Sequence, residues 1–128
     1  MKKNILIISF IFLVPLISYF MLTMSNVSTA QIAAEGKPQV IKFTSHMCLD
    51  CQTMNKIFKE IFPKYNEEIV LTEINVQENK PGDQEQIDKF KVTLVPTIIL
   101  LDSQGKEVKR IEGAVSEEEM DKCLRNLK

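Results

Sequence analysis

From residue 39 to the end of the chain, short runs of β-branched and apolar residues alternate with segments whose apolar positions recur every three or four residues. Residues 39–44 (QVIKFT) suit a short strand. Met54, Ile57, Phe58 and Ile61 then fall at i, i+3, i+4 and i+7, one buried stripe on a helix that opens at Cys48 and stops at Pro63. Residues 69–76 (IVLTEINV) make a second strand and 79–82 a turn, after which Asp83 with Gln86 can cap a short helix bearing Ile87 and Phe90. Residues 97–101 (TIILL) are too few for a helix, and the DSQG turn at 102–105 returns the chain as a charged outer strand over 106–111. The last helix is the best specified. Ser116 and Glu119 form its capping box, Val115 can staple onto Met120, and Met120, Cys123, Leu124 and Leu127 make its stripe. Strands alternating with helices imply a parallel portion of sheet with right-handed crossovers, and the closing hairpin adds an antiparallel edge.

The pattern near the N-terminus is of another kind. Residues 5–22 (ILIISFIFLVPLISYFML) run for 18 positions without a charge, behind Lys2 and Lys3. A helix of that length spans roughly 27 Å, just short of a hydrocarbon core of about 30 Å, whereas the core of a secretory signal usually runs about 7 to 15 residues. Ser28 and Ala30 suit cleavage ahead of Gln31, while Pro15 and the unbroken length suit a retained anchor. Both readings stay open. In either, the positive-inside rule keeps the lysines in the cytoplasm and exports the rest, so the expected location is extracytoplasmic, anchored or secreted on the periplasmic or cell-surface side. The expected organisation is 1–24 as signal peptide or signal anchor, 25–38 as a linker with one short helical turn near 31–35, and 39–128 as the folded domain.

Composition narrows the function classes. The whole chain of 128 residues carries 16 basic and 17 acidic side chains, and from Ser25 onward the balance is 14 against 17. Without a strong basic field, no nucleic-acid partner is expected. Three cysteines are too few to staple a mini-protein, and two of them, Cys48 and Cys51, stand in one tight spacing at the start of a helix. There a disulfide can open and close without refolding. Unpaired backbone N–H groups and the helix dipole favour negative charge on the first thiol, so Cys48 reads as the nucleophile. Cys51, one turn deeper, reads as the resolving thiol that releases a mixed disulfide. The competing readings are a structural bridge and half of a metal site completed by His46 or the distant Cys123, a metal-handling module.

The strand before Cys48-x-x-Cys51, Val95-Pro96-Thr97 opening the next core strand 45 residues after Cys51, and Gly113 between hairpin and last helix occur in that order. On these three features the chain resembles the thioredoxin superfamily over roughly residues 37–128. The resemblance implies a thioredoxin-like α/β fold, a central mixed β-sheet flanked by helices, and a thiol-disulfide oxidoreductase that needs no cofactor or metal beyond its own redox-active Cys48–Cys51 disulfide. It further implies that Pro96 is cis and packs beside the disulfide, that Val95 offers backbone groups to a client chain, and that Met47 belongs to the contact surface in place of the usual Trp. Among relatives, the pattern looks most like the exported C-terminal domain of the transmembrane disulfide interchange reductases, with membrane-tethered thioredoxins of cytochrome c maturation close behind. The partners implied are client proteins with disulfides or thiols, a redox donor protein, and the membrane where the N-terminal segment is retained.

Two departures and several lesser features bear on the chemistry. Lys42 stands six before Cys48, where the family commonly holds a buried Asp, so its amine either tunes the thiols or reaches solvent along its stem. Asp50 puts a negative charge between the cysteines, which opposes thiolate formation and favours a reducing or shuffling role over an oxidising one. His46 is either a tuning group for Cys48 or a solvated loop residue. Cys123 lies on a helix stripe, where it acts as a small hydrophobe, the alternative being a reactive thiol or an intermolecular bridge. Glu117, Glu118 and Glu119 occupy a first helical turn, where the dipole suits them without any catalytic role.

Overall fold

The computed structural model describes residues 13–15 and 36–127. Residues 13–15 are helical and exposed; the remainder of the proposed signal or anchor segment and the linker residues up to 35 lie outside the described residues. Among the described residues, no helix is long and apolar enough to cross a membrane.

The described domain runs β1 (Gln39–Thr44), α1 (Leu49–Ile61), a 3-10 turn (Phe62–Lys64), β2 (Val70–Asn75), α2 (Asp83–Lys89), β3 (Thr97–Leu101), β4 (Glu107–Glu112) and α3 (Glu117–Leu127). The strands form one mixed sheet in the order β2-β1-β3-β4. Alternation along the strands divides their side chains between two apolar layers. On one face Val40, Ile98, Leu100 and Ile111 pack with Met54, Phe58 and Ile61 of α1 and Met120, Cys123 and Leu124 of α3. On the other, Ile41, Phe43, Ile74, Ile99 and Leu101 close over Phe90, with Ile87 of α2 packed against them. β3 is buried at all five positions because it is central and covered on both faces, which explains its unbroken run of apolar residues.

Three expectations change. The parallel portion is the single pair β1–β2; β3 runs antiparallel to β1 as well as to β4. The helix between β2 and β3 has seven residues, about 10 Å at 1.5 Å per residue, whereas a six-residue strand spans about 20 Å. It is too short to carry the chain back to the start of β2, so β3 sets out from the far end and runs the other way. Asp83 is the first residue of α2, not its cap: Gly82 holds the cap position at φ 92°, a left-handed turn that glycine adopts without steric cost. β4 starts and ends one residue later than its charge pattern indicates. At α3 the capping side chain is as expected, Ser116 Oγ accepting from the Glu119 N–H at 3.2 Å.

A buried hydroxyl ties the α1 side together. Tyr65 follows the 3-10 turn and donates to Asp121 Oδ1 of α3 at 2.9 Å. Burial, then the neighbouring carboxylate, push its phenol above the ordinary value, so it stays protonated as the donor this bond requires.

Candidate active site

The site forms where β1 ends and α1 begins. Thr44 closes the strand, Ser45 Oγ accepts from the Met47 N–H at 3.2 Å to shape the connecting turn, and Cys48 takes the cap position of α1 with extended backbone (φ −107°, ψ 120°). A helix start leaves backbone N–H groups without partners. Here the Cys51 N–H donates to Cys48 Sγ at 3.2 Å, so the sulfur does the work that a Ser or Asp oxygen does at other helix starts.

The two thiols differ in surroundings. Cys48 is partly exposed, whereas Cys51 is 1% exposed on the inner side of α1. Burial pushes the Cys51 thiol above its ordinary value, and the bond with Cys48 adds to the shift; the Ser45 backbone and the Thr44 side chain pull the other way. Cys51 therefore holds its proton to a higher pH than an exposed cysteine would.

The segment before β3 completes the site. The Val95–Pro96 peptide bond is cis, Pro96 is fully buried, and the Cys48 thiol donates to the Val95 carbonyl at 3.5 Å. Thr97 Oγ1 bonds the Leu94 carbonyl at 2.8 Å and Gly113 donates its N–H to the Pro96 carbonyl at 2.8 Å, so the loop is pinned from two sides. Gly113 reaches that carbonyl at φ 88°, which a side chain would disfavour. Around the Cys48–Val95 contact stand Met47 (85% exposed), Leu49 (79%) and Leu94 (44%), each next in sequence to one of the two contacting residues. Exposed apolar side chains therefore flank that contact from both segments.

The tuning candidates lie elsewhere. The Lys42 amine, 3% exposed, bonds Asn55 Oδ1 at 2.7 Å and Glu73 Oε2 at 2.8 Å, with the Phe58 ring 5.1 Å away. It neither reaches solvent freely nor turns to a thiol. His46 Nε2 faces Glu78 at 3.4 Å, and Asp50 is exposed in the first turn of α1. Cys123 is buried, as its place on the stripe implies, and also accepts from Lys109 Nζ at 3.1 Å. Among the described residues, no three His, Cys, Asp or Glu side chains converge on a point that could hold a metal ion.

Thr44, Leu49 and Leu94 were not legible as site residues. Thr44 had a signal: counting alternately from Val40 puts it on the α1 face, four residues before Cys48. Leu94 had only its place ahead of Val95-Pro96.

A partly exposed thiol capping a helix, a buried second thiol one turn on, and a cis-proline loop against the first define a thioredoxin-type dithiol domain. The model of the thioredoxin-like domain matches residues 25–128. The chain belongs to that family. Similar solved structures include thioredoxin-2 of the malaria parasite, described as a component of its protein secretion machinery, at 22% identity over 70% of this chain and 82% of that one, with a TM-score of 0.62. Another is the thioredoxin of Fasciola hepatica, at 24% identity over 73% and 84% of the two chains, also with a TM-score of 0.62. At these identities the likeness is one of fold.

Proposed function

We propose that the chain is a thiol-disulfide oxidoreductase acting on protein disulfides outside the cytoplasm, tethered or delivered by residues 1–24 and closest in role to the exported, membrane-associated thioredoxin-like reductases. The observation that carries the reading is the pairing of Cys48 Sγ with the Cys51 N–H, the second cysteine being buried behind it. Cys48 as thiolate attacks a client disulfide, and the client's sulfur leaves as a thiolate. Cys51 then loses its proton and attacks Cys48, which forms the Cys48–Cys51 disulfide and frees the client. Met47, Val95 and Pro96 receive the client chain, with Leu49 and Leu94 extending the apolar contact. The redox-active disulfide is the only prosthetic group in this reading, and a separate donor protein restores the dithiol. Asp50, between the two cysteines in sequence though its side chain is exposed, favours the reducing direction.

Insulin reduction under limiting dithiothreitol tests the reading. The expected result is precipitation of the insulin B chain well ahead of the dithiothreitol control, with a rate that rises with pH as Cys51, held protonated by burial, begins to ionise. Precipitation no faster than the control, with one zinc bound per reduced chain, would replace the reading with a metal-handling one. Cys123→Ala is expected to leave this rate unchanged, because its sulfur is engaged by Lys109 in the layer between β4 and α3. A large loss of rate in a folded Cys123→Ala protein would place Cys123 in the relay.

A further inference from the structure

One buried polar atom beside the dithiol has no role in the chemistry described so far. Val40, Lys42 and Thr44 alternate along β1 toward α1: Val40 packs with Met54 and Phe58, Lys42 bonds Asn55, and Thr44 arrives opposite the first turn. Thr44 is 3% exposed, and its Oγ1 makes no hydrogen bond of ordinary geometry. Its backbone is committed, the carbonyl accepting from the Val76 N–H at 3.0 Å. A buried hydroxyl without a partner destabilises a fold, and valine would fill the same space without that cost, so the group requires an explanation.

Cys51 supplies one. Lys42 bonds Asn55, so Thr44, the next residue on that face of β1, falls one helical turn earlier on α1, at Cys51, where its side chain, like the Ser45 backbone, acts on the thiol in the direction that favours the anion. Hydrogen bonds that serve a reacting group are often long or misaligned at rest and tighten when charge develops. A neutral thiol is a weak acceptor, and a thiolate enclosed away from water is a strong one.

We infer that Thr44 is the hydrogen-bond donor to the Cys51 thiolate in the step that resolves the mixed disulfide. The inference rests on the oxidoreductase reading above. In that step Cys51 gives its proton to solvent, and its sulfur forms a bond to Cys48 Sγ as the bond between Cys48 and the client breaks. The client sulfur departs with the electron pair and is protonated by solvent. Two electrons thus pass from the dithiol to the client. Thr44 keeps its own proton throughout and contributes a bond that is strong only when Cys51 is charged.

Other groups at Cys51 do not duplicate this role. Cys48, on the same helix, raises the Cys51 thiol, and the Ser45 backbone N–H supplies one donor from the β1 side. Lys42, the charged residue of β1 on this face, has its amine on Asn55 and on Glu73 of β2. Val95 and Pro96 bring no titratable side chain from the loop opposite.

The test uses the full chain carrying Cys123→Ala, reduced and mixed with the chromogenic disulfide DTNB. The first chromophore released reports attack by Cys48, at a rate proportional to DTNB; the second reports resolution by Cys51, at a rate independent of it. Thr44→Val is expected to leave the first phase unchanged and to slow the second about tenfold at neutral pH, a hydrogen bond to a charged group being the interaction lost. Its inflection with pH should move upward, and its melting temperature should stay the same or rise. Thr44→Ser, which keeps the hydroxyl, should restore the second phase. An unchanged second phase in Thr44→Val, or equal slowing in Thr44→Val and Thr44→Ser, overturns the role of Thr44. Absence of a DTNB-independent phase in the parent protein overturns the dithiol reading, and the inference with it.

Discussion

Cys51→Ser is expected to hold client proteins on Cys48 as stable mixed disulfides, while Cys48→Ser accumulates almost none. The asymmetry follows from the positions of the two sulfurs. Cys48 is the one a client can reach, beside the apolar side chains of Met47, Leu49 and Leu94, and Cys51 is enclosed behind it. Once Cys48 has attacked, the only thiol placed to displace the client is Cys51, so removing it leaves the covalent complex with no internal exit. Turnover in insulin reduction should fall to the uncatalysed background in both variants, yet on non-reducing gels only Cys51→Ser should shift to the mass of a complex that dithiothreitol dissolves. Comparable trapping by the two variants would show that the assignment of nucleophile and resolving thiol is reversed or shared.

The largest loss of stability is expected from Phe43→Ala, at about 3–5 kcal/mol. Phe43 is fully buried in β1 and meets Phe90 edge to face, with ring centroids 6.2 Å apart and planes at 60°. It pairs in register with Ile74 of β2 and Thr97 of β3, two strands whose backbones are held in the sheet. The neighbours therefore cannot collapse readily into the space left by the ring. Against a typical total of about 5–15 kcal/mol for a domain, the variant should unfold at a much lower urea concentration with a similar slope. A loss below about 1 kcal/mol would mean that α2 does not close this face of the sheet in solution.

The elements with a strong local pattern were legible before any coordinates. β1, α1 and α3 declare themselves through apolar spacing, and the Ser116 cap stands where its sequence signature puts it. The Cys48–Cys51 pair and the cis Val95–Pro96 bond also followed from motif order, the latter through family resemblance alone. What stayed hidden depends on direction in space. Nothing in residues 83–101 states that β3 will run against β1, because that follows from the reach of a seven-residue helix. The position of Lys42 relative to Cys48 points toward the thiols, but its amine answers to Glu73, a residue 31 positions later that only the β1–β2 pairing brings alongside. Beyond its alternation with Val40, Thr44 carries no signal of its own in the sequence, since a hydroxyl residue at a strand end is commonplace until the fold buries it without a hydrogen-bond partner.

Lys42 and Glu73 are direct register partners across β1–β2, with one charge 3% exposed and the other about half exposed. Sliding β1 by a single residue would turn the Lys42 amine into the layer of Ile41, Phe43 and Ile99, away from its carboxylate, and the same slip would turn Thr44 from the α1 face and Cys51. The ion pair thus acts as an index mark for strand alignment. Chains that fold with β1 and β2 misaligned bury an uncompensated charge, whereas chains that align them correctly bring the hydroxyl and the second thiol together in the same event.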